Sequence, residues 1–300
     1  MELTFLGTSA MVPTKERNVS GVFLSFQTEG ILFDCGEGTQ RQMNICGINR
    51  NKVTKIFITH WHADHSAGII GLLQTISNAE EKPKRVDIFG PKGTQERIKH
   101  INLAFVHDSG LNLFVHDIDP KGVEQCYEDE LFVIEAVKLD HTTTCLGYSF
   151  VEKDRRRINM AYLKKLGVPE GPHLQKLQQG ESITYKGKAV DVEKATSIVK
   201  GRKISYIMDT KFCHNAILLA RNADLLITEA SYTNELEDKA REYKHMTAGD
   251  AARIANEANV KKLILTHFSQ RYKTTLEIEE DARTAFDNVI CAKDFMRVVV

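Results

Sequence analysis

The chain has 300 residues, 42% of them hydrophobic and 27% charged, and its 40 Lys and Arg balance 40 Asp and Glu to a formal net charge of zero. This length can build one large α/β domain or two smaller ones, and no apolar run approaches the roughly 18 residues that a membrane span requires. A neutral whole gives no global field for nucleic acid, so such a partner must be sought in a local patch.

The opening MELTFLGTSAMVP has no basic region ahead of a long apolar stretch, so it reads as a first strand rather than a signal peptide, and a cytoplasmic protein is expected. Strand-like runs then recur at 2–7, 21–26, 31–34, 55–60, 85–90, 131–137, 203–209, 224–229 and 262–267. Helical patterns lie between them. IIGLLQTI (69–76) has apolar residues at near-helical spacing, and in TAGDAARIANEA (247–258) Thr247 suits an N-cap while Ala251, Ile254, Ala255 and Ala258 share one face. The composite is a mixed α/β fold with buried strands. KIFITH (55–60) and KLILTH (262–267) echo each other, a likeness short enough to arise by chance. Each nonetheless delivers a histidine to the C-terminal end of a core strand, where α/β sheets form ligand sites.

The cysteines, at 35, 46, 126, 145, 213 and 291, include no C-x-x-C pair. That argues against a thiolate zinc site and a disulfide framework, and predicts reduced thiols. One stretch, 153–188, breaks the alternation of strands and helices. It holds nine basic residues against three acidic ones, a net of +6 that the rest of the chain balances, and is expected to be an excursion from the core.

Residues 57–68 read FITHWHADHSAG. Histidines clustered this tightly rarely serve packing, because each buried imidazole has two ring nitrogens that need partners. In an extended turn, residues i and i+2 face the same way, so His60 and His62 can share one metal. Asp64 and His65 fall at the turn into the next helix and can address a second ion. Two ions need further ligands, and strand ends offer His141 in KLDHTTTCLGY, Asp209 in YIMDT and His267 in LTHFSQRY, with Asp209 as the natural bridge. A lone strand-end histidine is more often structural; the company of the cluster recruits His141 and His267. Nitrogen and oxygen donors suit zinc, and manganese or iron would be tolerated. Two dications facing two aspartates carry a charge of about +2, which attracts a phosphodiester and activates water at neutral pH. His100, His107, His116, His173 and His214 lack such company and read as surface or packing residues.

HWHADH (60–65), with His141, Asp209 and His267 downstream, resembles the metallo-β-lactamase superfamily. FLGTSAMVP (5–13), LFDCGEGTQRQM (32–43), GVPEGPHLQKLQQG (167–180) and LTHFSQRY (265–272) narrow the resemblance, over essentially the whole chain, to the ribonuclease Z family. The resemblance implies an αββα sandwich spanning residues 1–300 as one domain, with a flexible basic arm inserted at 152–195. It implies two zinc ions per subunit: His60, His62 and His141 on one, Asp64, His65 and His267 on the other, Asp209 between, and Asp34 supporting from behind.

The implied activity is hydrolysis of precursor tRNA to remove its 3′ trailer, with Asp64 also taking the proton of the attacking water. His245, in YKHMTAGD, matches the acid that protonates the leaving oxygen, and Glu229, in ITEASY, matches the carboxylate that orients it; alternatively Glu229 is an ordinary helix-start carboxylate. Gly171 and Pro172, with Lys164, Lys165 and Lys176, would form the tRNA-gripping arm, reaching across a homodimer to serve the partner's site. Two departures stand out: Met208 precedes Asp209 where the family frequently has glycine, and Met246 follows His245 where it frequently has serine. The competing readings are another hydrolase of the superfamily (a thioesterase, lactonase or small-molecule phosphodiesterase) and a catalytically silent RNA-binding protein.

Overall fold

Every strand-like run in the sequence forms a strand, with ends displaced by a few residues at most. The computed structural model describes residues 1–79, 85–105 and 111–300, so His107 lies outside the described residues. Two units are distinct: Met1–Tyr127 with Ile134–Phe150 and Lys203–Val300, and Glu128–Val133 with Val151–Arg202.

In the larger unit the strands are β1 (Glu2–Gly7), β2 (Gly21–Phe26), β3 (Glu29–Phe33), β4 (Val53–Phe57), β5 (Val86–Pro91), β6 (Leu113–Ile118), β7 (Glu124–Glu128), β8 (Phe132–Leu139) and β9 (Cys145–Glu152), the last three running into the smaller unit. The smaller unit adds β10 (Arg155–Ile158), β11 (Ile183–Tyr185), β12 (Lys188–Val190) and β13 (Thr196–Val199). The larger one resumes with β14 (Lys203–Ile207), β15 (Leu225–Glu229), β16 (Leu263–Thr266), β17 (Val289–Cys291) and β18 (Arg297–Val299).

Among the described residues these strands form two large sheets, ordered β18-β1-β2-β3-β4-β5-β6 and β17-β16-β15-β14-β9-β8-β7. The runs β3 to β6 and β14 to β17 are parallel. In the second run β15 and β16 are buried along their whole length, the signature of strands covered from both sides. Between the sheets lies an aromatic layer. Phe33 of the first sheet stacks on Tyr206 of the second with ring centroids 5.4 Å apart, and Phe57 meets Tyr148 edge-on at 5.3 Å. Each such ring removes roughly 150–250 Å² from water. The Tyr148 hydroxyl, which would otherwise be stranded there, donates to the Ile58 carbonyl at 2.9 Å.

Helices cover the outer faces. Ile69–Ser77 buries Ile69, Leu72, Leu73 and Ile76 against the first sheet. Ala248–Glu257 starts at the expected N-cap, Thr247, closed by Asp250 as a capping box, and turns Ala251, Ile254 and Ala255 into the core on the second. Helix, sheet, sheet, helix is thus the layer order, an αββα sandwich. The edge strands β6 and β7 escape sequence reading because LFVHDI and EQCYE mix charges with apolar residues and are only half-buried.

The smaller unit is where the arm was expected. It has two antiparallel ribbons, β10–β13 and β11–β12, and a core of its own built from Leu163, Val168, Leu174, Leu177, Val190 and Ala195. Its extent, Val151 to Arg202 with Glu128–Val133, is somewhat wider than residues 152–195.

Candidate metal centre

Strand register sets the site. Phe33 pairs with Phe57 and Glu229 with Thr266, so within each sheet the parallel strands end level, and the residues that follow emerge at one edge. Asp34 follows β3, His60 and His62 follow β4, His141 follows β8, Asp209 follows β14 and His267 follows β16. Three of them turn sharply: Asp34, Asp209 and His267 have φ of +57°, +40° and +58°. Left-handed backbone costs a non-glycine residue about 1–2 kcal/mol and gathers at functional sites.

The structure brings all seven predicted ligands together, in two groups. His60 Nε2 lies 2.9 Å from His62 Nδ1 and 3.5 Å from Asp209 Oδ2, and His141 Nε2 lies 3.4 Å from His62 Nδ1. On the other side, His65 Nε2 is 3.2 Å from His267 Nε2 and 3.4 Å from Asp64 Oδ2, while His267 Nε2 is 3.2 Å from Asp209 Oδ1. Donors bound at 2.0–2.1 Å around a tetrahedral ion stand roughly 3.3 Å apart, which these spacings match. Asp209 offers one oxygen to each group. Its Oδ1 is fully buried and has no hydrogen-bond partner, a condition a cation would relieve. The donor set therefore fits metal ions.

Protonation follows the same crowding. Burial would raise the Asp209 and Asp64 carboxyls, but the facing histidines hold both far below the usual carboxylate range. Burial and the neighbouring His65 push His60 well down, towards the neutral form a ligand needs. For His65 burial is outweighed by Asp209, Asp34 and Asp64, which favour the imidazolium in the ion-free protein. An ion must displace that proton, so uptake weakens as pH falls.

Behind the donors four of the five rings, those of His60, His65, His141 and His267, are held by their other nitrogen. Asp34, fully buried, accepts from His65 Nδ1 at 2.8 Å, from the Thr59 amide at 2.8 Å and from the Tyr206 hydroxyl at 3.1 Å. Thr59 Oγ1 lies 3.1 Å from His60 Nδ1 and 3.0 Å from Asp34, so one carboxylate orients two rings. His267 Nδ1 meets Ser231 Oγ at 3.1 Å and His141 Nδ1 donates to the Lys244 carbonyl at 3.1 Å. The FDCGEG loop is bound to the HADH turn through backbone: Cys35 N–H donates to the His65 carbonyl and Gly68 N–H to the Cys35 carbonyl. A Cβ at Gly36 would stand 2.2 Å from the Asp64 carbonyl oxygen, so only glycine allows this approach. Asp34→Asn turns a donor toward donors and should weaken zinc affinity about 10–100-fold; zinc titration against a competing chelator checks it, and unchanged affinity would contradict this support.

His245 faces the same space. Its Nδ1 lies 3.0 and 3.1 Å from the two oxygens of Glu229, which ends β15 fully buried and so is not a helix-start carboxylate. Glu229 also accepts from the Thr210 amide at 2.7 Å, Ser231 Oγ at 2.7 Å and the Met246 amide at 3.2 Å. Burial lowers the His245 pKa, but the Glu229 charge and hydrogen bond outweigh it and raise the pKa to about 9. Met208 and Met246 are completely buried. Met246 serves the site through its amide while its side chain packs in the core, and the Met208 carbonyl receives Cys145 Sγ–H at 3.3 Å.

The groups open onto a cavity of about 750 Å³ lined by His62, Asp64, His141, Asp209, His245 and His267, with Met11, Tyr232, Tyr243 and Arg271 among its other walls. Met11, with φ of +60°, donates its amide to Asp64 Oδ2 at 2.8 Å. Sequence reading missed Ser231, Thr59 and the Lys244 carbonyl, which act through single hydroxyl or backbone atoms; Ser231 sits two residues past Glu229, and only that spacing hints at it. The other described histidines stay outside: His100 and His214 are exposed, His116 stacks on Phe89 and bonds Asp87 at 2.8 Å, and His173 stacks on Tyr185. Gly171, Pro172, Lys164, Lys165 and Lys176 belong to the smaller unit, where the three lysines are exposed. No cysteine is paired.

Two seven-stranded sheets with this histidine and aspartate cluster at their edge define a metallo-β-lactamase-fold protein. Family models agree: one for the β-lactamase superfamily domain matches residues 179–268, and one for the anti-Pycsar protein Apyc1 matches residues 1–155. Full-length relatives are more particular. The chain is 41% identical over 303 residues to ribonuclease Z of Archaeoglobus fulgidus and 42% identical over 302 residues to that of Methanothermobacter thermautotrophicus, each alignment covering 100% of this chain and 97% of the relative. The crystal structure of the short form of human tRNase Z superposes with a TM-score of 0.74 at 31% identity, covering 100% of this chain and 99% of that one. The chain belongs to the ribonuclease Z family.

Proposed function

We infer that this chain is a metal-dependent endoribonuclease that hydrolyses one phosphodiester of precursor tRNA, releasing the 3′ trailer and leaving a 3′-hydroxyl on the tRNA. The observation that carries the reading is the bridging geometry of Asp209, one buried oxygen toward each donor group, in a cavity that is also lined by His245, which the buried Glu229 holds from behind. We assign two zinc ions, with manganese or iron as substitutes: one to His60, His62 and His141, one to Asp64, His65 and His267, with Asp209 shared. Bound there, the ions would neutralise phosphate charge and lower the pKa of water at neutral pH.

The chain's own groups divide the remaining work. Asp64, partly open to the cavity, takes the proton released by the attacking water. His245 holds a proton toward the cavity and delivers it to the departing ribose oxygen, a strong base that leaves poorly without an acid. Glu229 keeps that imidazole charged and turned, and its other contacts fix the carboxylate in turn.

The smaller unit is the proposed tRNA grip, through Gly171, Pro172, Lys164, Lys165 and Lys176. Lysines reach phosphates without reading sequence, so they position the substrate. Replacing the three lysines with alanine should raise KM for precursor tRNA about tenfold, leave kcat near wild type and flatten the salt dependence by up to about three phosphate contacts. Steady-state kinetics at several salt concentrations check this; a loss in kcat with KM unchanged would contradict it. We further assign a cytoplasmic homodimer in which the grip serves the partner's site. No helix among the described residues is long and apolar enough to cross a membrane. Gel filtration paired with activity tests the dimer: a monomeric variant should hydrolyse small phosphodiesters yet lose most activity on precursor tRNA.

A further inference from the structure

Three of the turns that carry working groups of the second sheet are the one with His141, the one with Asp209 and the one with His245. Asp140 touches all three. Its backbone amide donates to Thr210 Oγ1 at 3.0 Å and its carbonyl accepts from the Lys211 amide at 3.0 Å, which ties it to the residues just past Asp209. Its carboxylate takes Lys211 Nζ at 2.9 Å on one oxygen and Lys244 Nζ at 3.0 Å on the other.

Lys244 is the second half of the link. It sits in the left-handed region, φ +55°, and ends the helix Glu237–Tyr243 immediately before His245. From there its carbonyl accepts from His141 Nδ1 at 3.1 Å and its ammonium also donates to the His141 carbonyl at 3.2 Å. A ring fixed at Nδ1 can present only Nε2 to an ion. One residue therefore grips a metal donor from both its ring and its backbone, while its own next neighbour is the proposed acid.

We propose that Asp140 and Lys244 form a positioning hub that locks the His141 and His245 turns to the Asp209 turn, so that metal affinity and proton delivery depend on the same half-exposed ion pairs. The proposal rests on the metal and acid assignments above. Neither residue is among the walls of the cavity. An isolated pair this exposed, with Asp140 and Lys244 side chains each 39% accessible, would contribute little. Here two cations share one carboxylate whose backbone is already bonded, and donors tolerate misplacement of only about 0.5 Å.

The test is zinc affinity by chelator competition on the full-length wild type, Asp140→Asn, Lys244→Met and the double variant, with Lys244→Arg as the conservative control. The hub predicts a weakening of about three- to tenfold in each single variant, a double variant no weaker than the worse single, and recovery in Lys244→Arg. It also predicts a larger loss on precursor tRNA than on bis-p-nitrophenyl phosphate in Lys244→Met, because the acid moves with the ligand. Affinities within twofold of wild type in both single variants, or losses that add, would overturn the hub while leaving the metal centre standing. A wild type that takes up no zinc would overturn both.

Discussion

Replacing His245 with alanine should slow precursor tRNA cleavage by about two to four orders of magnitude, while hydrolysis of bis-p-nitrophenyl phosphate falls far less. The asymmetry comes from the leaving group. A ribose alkoxide needs a proton as it departs, whereas p-nitrophenolate leaves readily without one. His245 suits the task because the buried Glu229 raises its pKa to about 9, so the ring holds its proton at neutral pH. The sign is definite: a raised pKa means the acid is present at neutral pH and lost as pH rises toward 9. Bound ions add positive charge and move that limb downward, so the alkaline fall in kcat on RNA is expected at or below about pH 9. Glu229→Gln removes the stabilising charge and should shift the limb further toward acid. Equal losses on both substrates in His245→Ala, or a limb indifferent to Glu229, would count against the acid role.

The second large effect concerns Asp209. Changing it to alanine removes an oxygen from each donor group at once, so cleavage of RNA and of the activated diester should both fall by roughly four orders of magnitude or more. A binding readout accompanies the loss. Zinc at about a thousand times its dissociation constant should add about 4 kcal/mol to wild-type stability, and far less to Asp209→Ala, seen as thermal shifts with and without the ion. If the variant kept the full zinc-dependent shift, Asp209 would be a structural carboxylate rather than the bridge.

How far the sequence carried is clearest at particular residues. His60, His62, Asp64 and His65 were legible because four side chains of metal-ligating type within six positions rarely serve packing, and they follow β4 directly. Asp209 and His267 were legible as polar residues closing apolar runs. Their left-handed backbones were not, since aspartate and histidine favour that region among non-glycine residues without requiring it. Nor was the shell behind the donors. The Lys244 carbonyl is a group every residue carries, and the Ser231 and Thr59 hydroxyls belong to common residue types, so only the folded register reveals which one acts. Glu229 illustrates the limit from the other side: its residue type allowed a helix start, and only its complete burial at the end of β15 makes it a partner for His245. The smaller unit was visible as a charge anomaly, but the frequent lysines and arginines hid the apolar spacing of Leu163, Val168, Leu174 and Leu177, which gives it a core of its own.

The most direct measurement is incubation of the zinc-loaded protein with a 5′-labelled precursor tRNA bearing a 3′ trailer, with Asp64→Ala beside it and the products sized on a gel. A single cut at the base of the acceptor stem, lost with Asp64, is the predicted result. An intact precursor under conditions where bis-p-nitrophenyl phosphate is still hydrolysed would contradict the RNA substrate and leave a hydrolase of small phosphodiesters.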